Sequence, residues 1–235
     1  SGNASSPAVI RPWYTSGSMV QAVSAVRARW EELQRSLPSE RDSRLLCRAF
    51  DDAESVYGDR AHRAGMVLLD HCLDLVEEIL LFDPDDELIV VALLHHVPEL
   101  HAWSFEEIEH RYGKRVRSMV GEVHVLRHLT THNRKVSIER LRLNFFRVSK
   151  DARVFLLMLC HQLLTMRNIA KYAPEERRKI SNDVLHLYAP AAARLGMYSL
   201  KHSLEEAGFP VLYPVDHERI MEQLKALREK HGAFL

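Results

Sequence analysis

The sequence predicts an all-α fold of about ten helices. Three observations carry this. Apolar residues recur at three- and four-residue steps along most of the chain from Met19 onward. Two segments, Leu88–Val97 (LIVVALLHHV) and Val154–Leu164, are apolar on nearly every side, which marks helices buried at the centre of a core. No segment alternates convincingly as a strand does, and nine glycines and nine prolines in 235 residues suit helices joined by short turns.

The elements follow in order. Residues Ser1–Ser18 are dominated by Ser, Gly, Asn and Pro and read as a flexible leader or tag, with Met19 as the natural start; a native disordered terminus gives the same composition. One helical domain is expected over 19–235. Val20, Val23, Val26 and Trp30 define the first helix, and Leu45, Leu46, Ala49, Phe50, Ala53 and Tyr57 the second. Ser39 is the expected N-cap of the second, and Gly58 its end. A third helix is expected over Gly65–Leu81, and the apolar run Leu88–Val97 should stop at Pro98. Ser104 with Glu107 forms a capping box that opens a short helix ending before Gly113. Further helices are expected at 114–128, 137–149, 151–170, 174–189, 198–207 and 214–231. Thr130–Val136 (TTHNRKV) is polar and reads as a mobile loop.

Composition excludes some partners. Lys+Arg and Asp+Glu both number 32, so no bulk attraction to nucleic acid or an anionic membrane is expected. No apolar run is long enough to span a bilayer, and no signal peptide is visible. Cys47, Cys72 and Cys160 are odd in number, far apart and set in helical contexts, which fits reduced thiols in the cytoplasm.

Four of the 14 histidines stand in apolar stretches: His71, His95, His96 and His161. An unsatisfied buried polar group costs about 1–3 kcal/mol, so each needs a partner. A shared metal ion satisfies all four together; separate hydrogen bonds to carbonyls or side chains satisfy them one by one. The His-His pair alone does not choose between these.

Several longer motifs do carry a resemblance. Leu187–Met197 (LYAPAAARLGM) resembles the "IYAPLAxRLGI" segment of the RelA/SpoT alarmone enzymes, and Lys201–Pro214 (KHSLEEAGFPVLYP) resembles their "KxELEDLxFxYLxP". Asp151–Val154 resembles "DxRV", Ala92–Glu99 resembles "ALLHDVVED", and Phe105–Val116 resembles "EEIxxxFGxxV". The order matches over residues 40–230. The resemblance implies an HD-domain helical bundle, a guanosine alarmone nucleotide as ligand, manganese as the divalent metal, and removal of pyrophosphate from the 3′ position of (p)ppGpp. It also implies an attached or partner synthetase domain.

Carried across, the family's metal positions are His71, His95, His96 and His161. His96 and His161 stand where the family has aspartates. Glu99 matches the first of two water-activating acids, and Leu100 replaces the second. In His62–His71 (HRAGMVLLDH), Gly65 and His71 match the nucleotide-facing motif "RxSGxPYxxH" and Leu68 replaces its Tyr. In Met158–Asn168, Gln162, Leu164 and Thr165 replace the Arg, His and Asn of "KLADRLHNMRT".

Manganese prefers carboxylate oxygens, whereas imidazole suits zinc, copper or nickel. Losing two anionic ligands points to zinc or to no metal here, and losing the second acid weakens water activation. Three readings follow: a degenerate, regulatory domain; a metal-dependent pyrophosphohydrolase rebuilt on histidines with Glu99 as acid/base; or a nucleotide sensor without turnover. Nucleotide contacts would come from Gly65 and from Arg63, Arg153, Arg167 and Arg194, each of which also reads as a structural salt bridge. Arg177, Arg178 and Lys179 read as a solvated helix face.

Overall fold

The computed structural model describes residues 16–132, 144–149 and 151–231; side chains are described for 24–129, 144–149 and 151–229. These residues form helices and turns, with one isolated bridge pairing Ala61 and Val67. No described helix is long and apolar enough to cross a membrane. The chain divides into two compact units, one ending at Trp103 and one beginning at Ser104.

The first unit holds α1 (Ser16–Ser36), α2 (Ser43–Tyr57), α3 (Leu68–Leu80) and α4 (Asp86–Leu94). Every residue of α4 from Leu88 to Leu94 is fully buried, because α2 and α3 flank it. Leu46, Ala49, Phe50, Ala53 and Tyr57 line the buried face of α2, and the Tyr57 hydroxyl donates to the Leu93 carbonyl (2.7 Å). Trp30 of α1 stacks on Phe50, with ring centroids 4.9 Å apart. Arg29 ties α1 to Asp70, Asp74 and Glu77 of α3 at 2.7, 2.8 and 2.6 Å.

Three expected helix ends shift. The N-cap of α2 is Asp42, not Ser39: its carboxylate accepts the Arg44 and Leu45 N–H groups at 3.1 and 3.0 Å. Asp42 is also anchored from behind, its own N–H donating to Asp86 (2.8 Å). Gly58 ends α2 as expected, at φ 54°. The central helix stops at Leu94, not at Val97. Pro98 has no N–H to give the Leu94 carbonyl, which takes the Val97 N–H instead (2.9 Å) and tightens the chain into a turn. Residues His95–Leu100 therefore form turns beyond α4. The third helix begins at Leu68 and not Gly65, which occupies a left-handed turn at φ 82°.

The second unit opens with α5 (Phe105–His132), broken by Gly113 at φ 85°, ψ 171°. The two helices expected on either side of Gly113 thus meet without a loop. Ser104 accepts the Glu107 N–H (3.1 Å), while the Glu107 carboxylate pairs with Arg111 (3.0 Å). Thr130–His132 belong to α5; the remainder of the expected mobile loop lies outside the described residues, as does most of the expected helix at 137–149, of which 144–148 are helical. The expected leader also lies outside them up to residue 15, and Ser16–Ser18 begin α1.

Then come α6 (Ala152–Arg167), a 3₁₀ turn (Ile169–Lys171), α7 (Pro174–Asp183), a π turn (Val184–Tyr188), α8 (Ala189–Arg194), α9 (Tyr198–Leu212) and α10 (Pro214–His231). The expected helix at 174–189 is interrupted because Pro190 cannot donate to the chain behind it. The Ala189 N–H reaches the Val184 carbonyl, one residue further back than an α-helix requires.

Burial at the end of α7 pushes the Asp183 carboxyl up to about 6 from an ordinary 3.8, against the pull of Lys179, Asn182 and His186. A carboxyl raised on folding stabilises the fold below its unfolded value, and that contribution is lost as pH rises through the folded value. Asp183→Asn should therefore raise the melting temperature near pH 7 by about 2–4 °C, roughly 1 kcal/mol for a chain this size, and leave it unchanged near pH 4. Thermal unfolding at both pH values checks this; equal shifts at the two would contradict it.

Candidate metal centre

The centre is built from the ends of α3 and α4. His71 lies in the first turn of α3 and its N–H donates to the Val67 carbonyl (3.1 Å). The loop ahead of α3 is held closed by His62 N–H to Met66 O (2.7 Å), Gly65 N–H to His62 O (2.8 Å) and Leu68 N–H to Arg60 O (2.7 Å). The left-handed Gly65 makes this turn, which folds His62 back over α3. The His62 and His71 rings stack with centroids 4.0 Å apart and planes within 9°.

His95 and His96 sit in the turn that Pro98 imposes beyond α4. His95 is fully buried and His96 is 4% exposed. Ring centroids lie at 4.1 Å for His95–His96, 5.8 Å for His71–His95 and 5.5 Å for His71–His96. Each of these three offers a ligand nitrogen, and those atoms lie within 4.8 Å of one another.

Their hydrogen bonds fix the chemistry. His95 Nδ1 meets the Ala92 carbonyl at 2.7 Å, and His96 Nδ1 meets Glu99 Oε2 at 3.0 Å. A carbonyl and a carboxylate oxygen only accept, so both rings carry the proton on Nδ1 and present Nε2 as a lone-pair donor. That is the arrangement of a metal-ligating imidazole with its outer nitrogen anchored. His62 is the reverse: its Nδ1 accepts the Ala64 N–H (3.2 Å), which puts the proton on Nε2 and makes that nitrogen a hydrogen-bond donor. A buried set of imidazole nitrogens with oriented outer partners fits an ion of zinc-like preference better than manganese.

The HD-domain family profile matches residues 49–198, a stretch that contains all of these residues. The chain belongs to the HD-domain family. This HD domain is homologous to RelA/SpoT-type (p)ppGpp hydrolases. It is 30% identical to the guanosine-3′,5′-bis(diphosphate) 3′-pyrophosphohydrolase of Aquifex aeolicus (strain VF5) over 188 residues, which cover 80% of this chain and 27% of that protein. It is 30% identical to the bifunctional (p)ppGpp synthase/hydrolase SpoT of Escherichia coli (strain K12) over 197 residues, 83% of this chain and 28% of that one. A GTP pyrophosphokinase rsh of Brucella suis biovar 1 (strain 1330) is 28% identical over 206 residues, 87% of this chain and 27% of its own. The chain thus spans little more than a quarter of the length of these relatives.

Among the site residues expected from sequence, the HD domain's first unit brings His71, His95 and His96 together and places Glu99 on His96. Leu100 lies half-buried in the same turn. Gly65 and an exposed Arg63 belong to the loop that carries His62. In the second unit His161 is buried on α6, its carbonyl accepting the Thr165 hydroxyl (2.9 Å). Arg153, at the start of α6, is paired with Asp151 (2.7 Å) and holds that carboxyl below the ordinary carboxylate range. Arg167 ends α6, about 21 Å along the helix axis from Arg153, so these two do not form one anion cluster. The Arg194 guanidinium lies over the Phe146 ring at 4.6 Å. Arg177, read as part of a solvated face, donates to the carbonyls of Tyr172 and Ala170.

Sequence reasoning missed His62. The signal was Gly65 three residues later, a turn residue that returns the chain before α3 begins. Gly65→Ala places a Cβ at φ 82° and should cost about 1–2 kcal/mol while unstacking His62 from His71. Urea unfolding together with the ring-proton shifts of His62 tests this; unchanged stability and shifts would contradict the role given to the turn.

Proposed function

We propose that this HD domain is a degenerate member of the RelA/SpoT-like alarmone group, regulatory and not an efficient hydrolase, built round a histidine-rich centre for a zinc-class ion. The ligands within the first unit are His71, His95 and His96, and the motif resemblance puts the family's fourth metal position at His161. The observation that supports this best is the pair of Nδ1 anchors, Ala92 O on His95 and Glu99 on His96, which fix both rings in the tautomer whose lone pair is on Nε2. A bound ion of this class supplies Lewis acidity toward a phosphoryl oxygen and acidifies a water.

The chain's own groups supply little of the rest. Leu100 offers no acid to orient a water, and Glu99 is engaged with His96. The ligand is a guanosine alarmone nucleotide, as the relatives' printed activities suggest, with Arg63 and Gly65 the nearest of the expected nucleotide contacts in sequence to the His62 loop. Arg153, Arg167 and Arg194 are held or spaced in ways that suit structural roles better. The partner is a synthetase domain, attached or separate, of the kind named in the relatives SpoT and rsh. Cys47, Cys72 and Cys160, none of them in a disulfide, fit a cytoplasmic setting.

A second reading is a pyrophosphohydrolase working through the same nitrogen-rich centre, with Glu99 released from His96 to serve as acid/base. The oriented Nε2 lone pairs favour it, because the ligand atoms of His71, His95 and His96 already lie within 4.8 Å of one another. Retention of nucleotide without turnover would mark a sensor.

Metal analysis and hydrolysis assays decide among these. Protein prepared without added metal should retain a zinc-class ion, bind manganese weakly and hydrolyse (p)ppGpp far more slowly than about 1 per second. His96→Asp with His161→Asp should raise manganese affinity. Adding Leu100→Asp should raise turnover on that background and have little effect on the unmodified chain, since a water-activating acid needs a bound ion. Ordinary manganese-dependent turnover by the unmodified chain would sink the regulatory reading. A folded double variant that binds manganese no better would sink the ligand assignment.

A further inference from the structure

We propose that Glu99 is a positioning residue that holds His96 with its proton on Nδ1, turns Nε2 toward the metal, and supplies from one bond further out the negative charge that an aspartate ligand would bring. This rests on the metal reading above.

The geometry separates His96 from its neighbour. His95 is anchored by a neutral carbonyl, whereas His96 is anchored by a carboxylate at 3.0 Å. A carboxylate behind an imidazole raises its basicity as a ligand more than a carbonyl does, and it fixes one tautomer. The backbone reinforces the pairing: the Glu99 N–H donates to the His96 carbonyl at 3.1 Å, so residues 96 and 99 are joined at two points across the turn. Pro98, inside that turn, stops α4 short and sets the spacing. The His96 side chain is 5% exposed and that of Glu99 is 32% exposed. The charge therefore sits at the rim, partly hydrated, where it costs far less than a buried carboxylate and still faces the ring.

This accounts for a substitution that is otherwise puzzling. An imidazole in place of a carboxylate ligand leaves a divalent centre one unit more positive. Glu99, an acid the family pattern also carries, here stands behind that imidazole and offsets part of the added positive charge without occupying a coordination position, and the centre keeps a nitrogen ligand set. The consequence is selectivity for zinc over manganese, set jointly by His96 and Glu99. The same bond keeps Glu99 away from proton transfer.

The test uses the whole chain, zinc and manganese ions with a chromophoric chelator, and nitrogen-15 NMR of the His96 ring. The metal-free chain should show His96 as the Nδ1–H tautomer. Glu99→Ala should mix the tautomers and lower zinc affinity by about 10–100-fold. Glu99→Gln retains an acceptor oxygen without the charge, so it should keep the tautomer and lose part of the affinity. In a His96→Asp background the sign should change: Glu99→Ala should leave metal affinity unchanged or raise it, because two acids then share the turn. A residue that merely braced the turn would lower affinity in both backgrounds, and that result overturns the proposal. So does Glu99→Ala with tautomer and affinity intact. A chain that takes up no zinc overturns the metal reading and the charge argument with it; the tautomer in the same metal-free sample separates that failure from failure of the Glu99–His96 lock.

Discussion

Seven consecutive apolar residues, Leu88–Leu94, have no solvent-facing side, and α2 and α3 must close over α4 from both flanks to keep them dry. Burial on all sides fixes α4 in place and direction. Once it is fixed, the place where it stops decides what stands at its end. Pro98 withholds the hydrogen bond that would have continued the helix, so His95 and His96 fall in a turn and not on a helical face. Two adjacent imidazoles on a regular helix diverge by about 100°. In this turn their rings lie 4.1 Å apart and both face His71 of α3. The centre is thus a product of core burial and one missing N–H group.

The same region was partly legible in the sequence. The apolar run located α4 and its burial, because hydrophobicity on every side has one physical meaning in a chain of this composition. Its end was misplaced, since periodicity carries the two histidines along as helix and Pro98 acts on a carbonyl four residues earlier. The Asp42 cap was missed for a related reason: Ser39 is an equally good cap locally, and the choice was made by the Asp86 carboxylate 44 residues on. Gly58 and Gly113, by contrast, were legible as breaks because they act on their own backbone. The grouping of His71 with His95 and His96 came from motif resemblance, not from spacing. His62 joined them through a loop closure that no linear pattern displays. Arg153 is paired with Asp151, two residues away, a local partner that the sequence displays directly.

The relatives sharpen what is unusual here. The chain shares the HD-domain family and about 30% identity with proteins named for hydrolysis and synthesis of guanosine alarmones. What it does not share with the motifs of that group lies in the segment leading into α3, at the turn after α4 and on α6: Leu68, His96, Leu100, His161, Gln162, Leu164 and Thr165. The substitutions are chemically coherent. Imidazoles stand where the family pattern has two aspartates, the second acid becomes apolar, and the remaining acid bonds an imidazole.

X-ray absorption at the zinc edge, on protein loaded with one equivalent of zinc, tests this account most directly. It predicts a first shell of nitrogen at about 2.0–2.1 Å with the outer-shell scattering of several imidazole rings and no sulfur. A shell dominated by oxygen, or zinc bound through cysteine sulfur at about 2.3 Å, would contradict it.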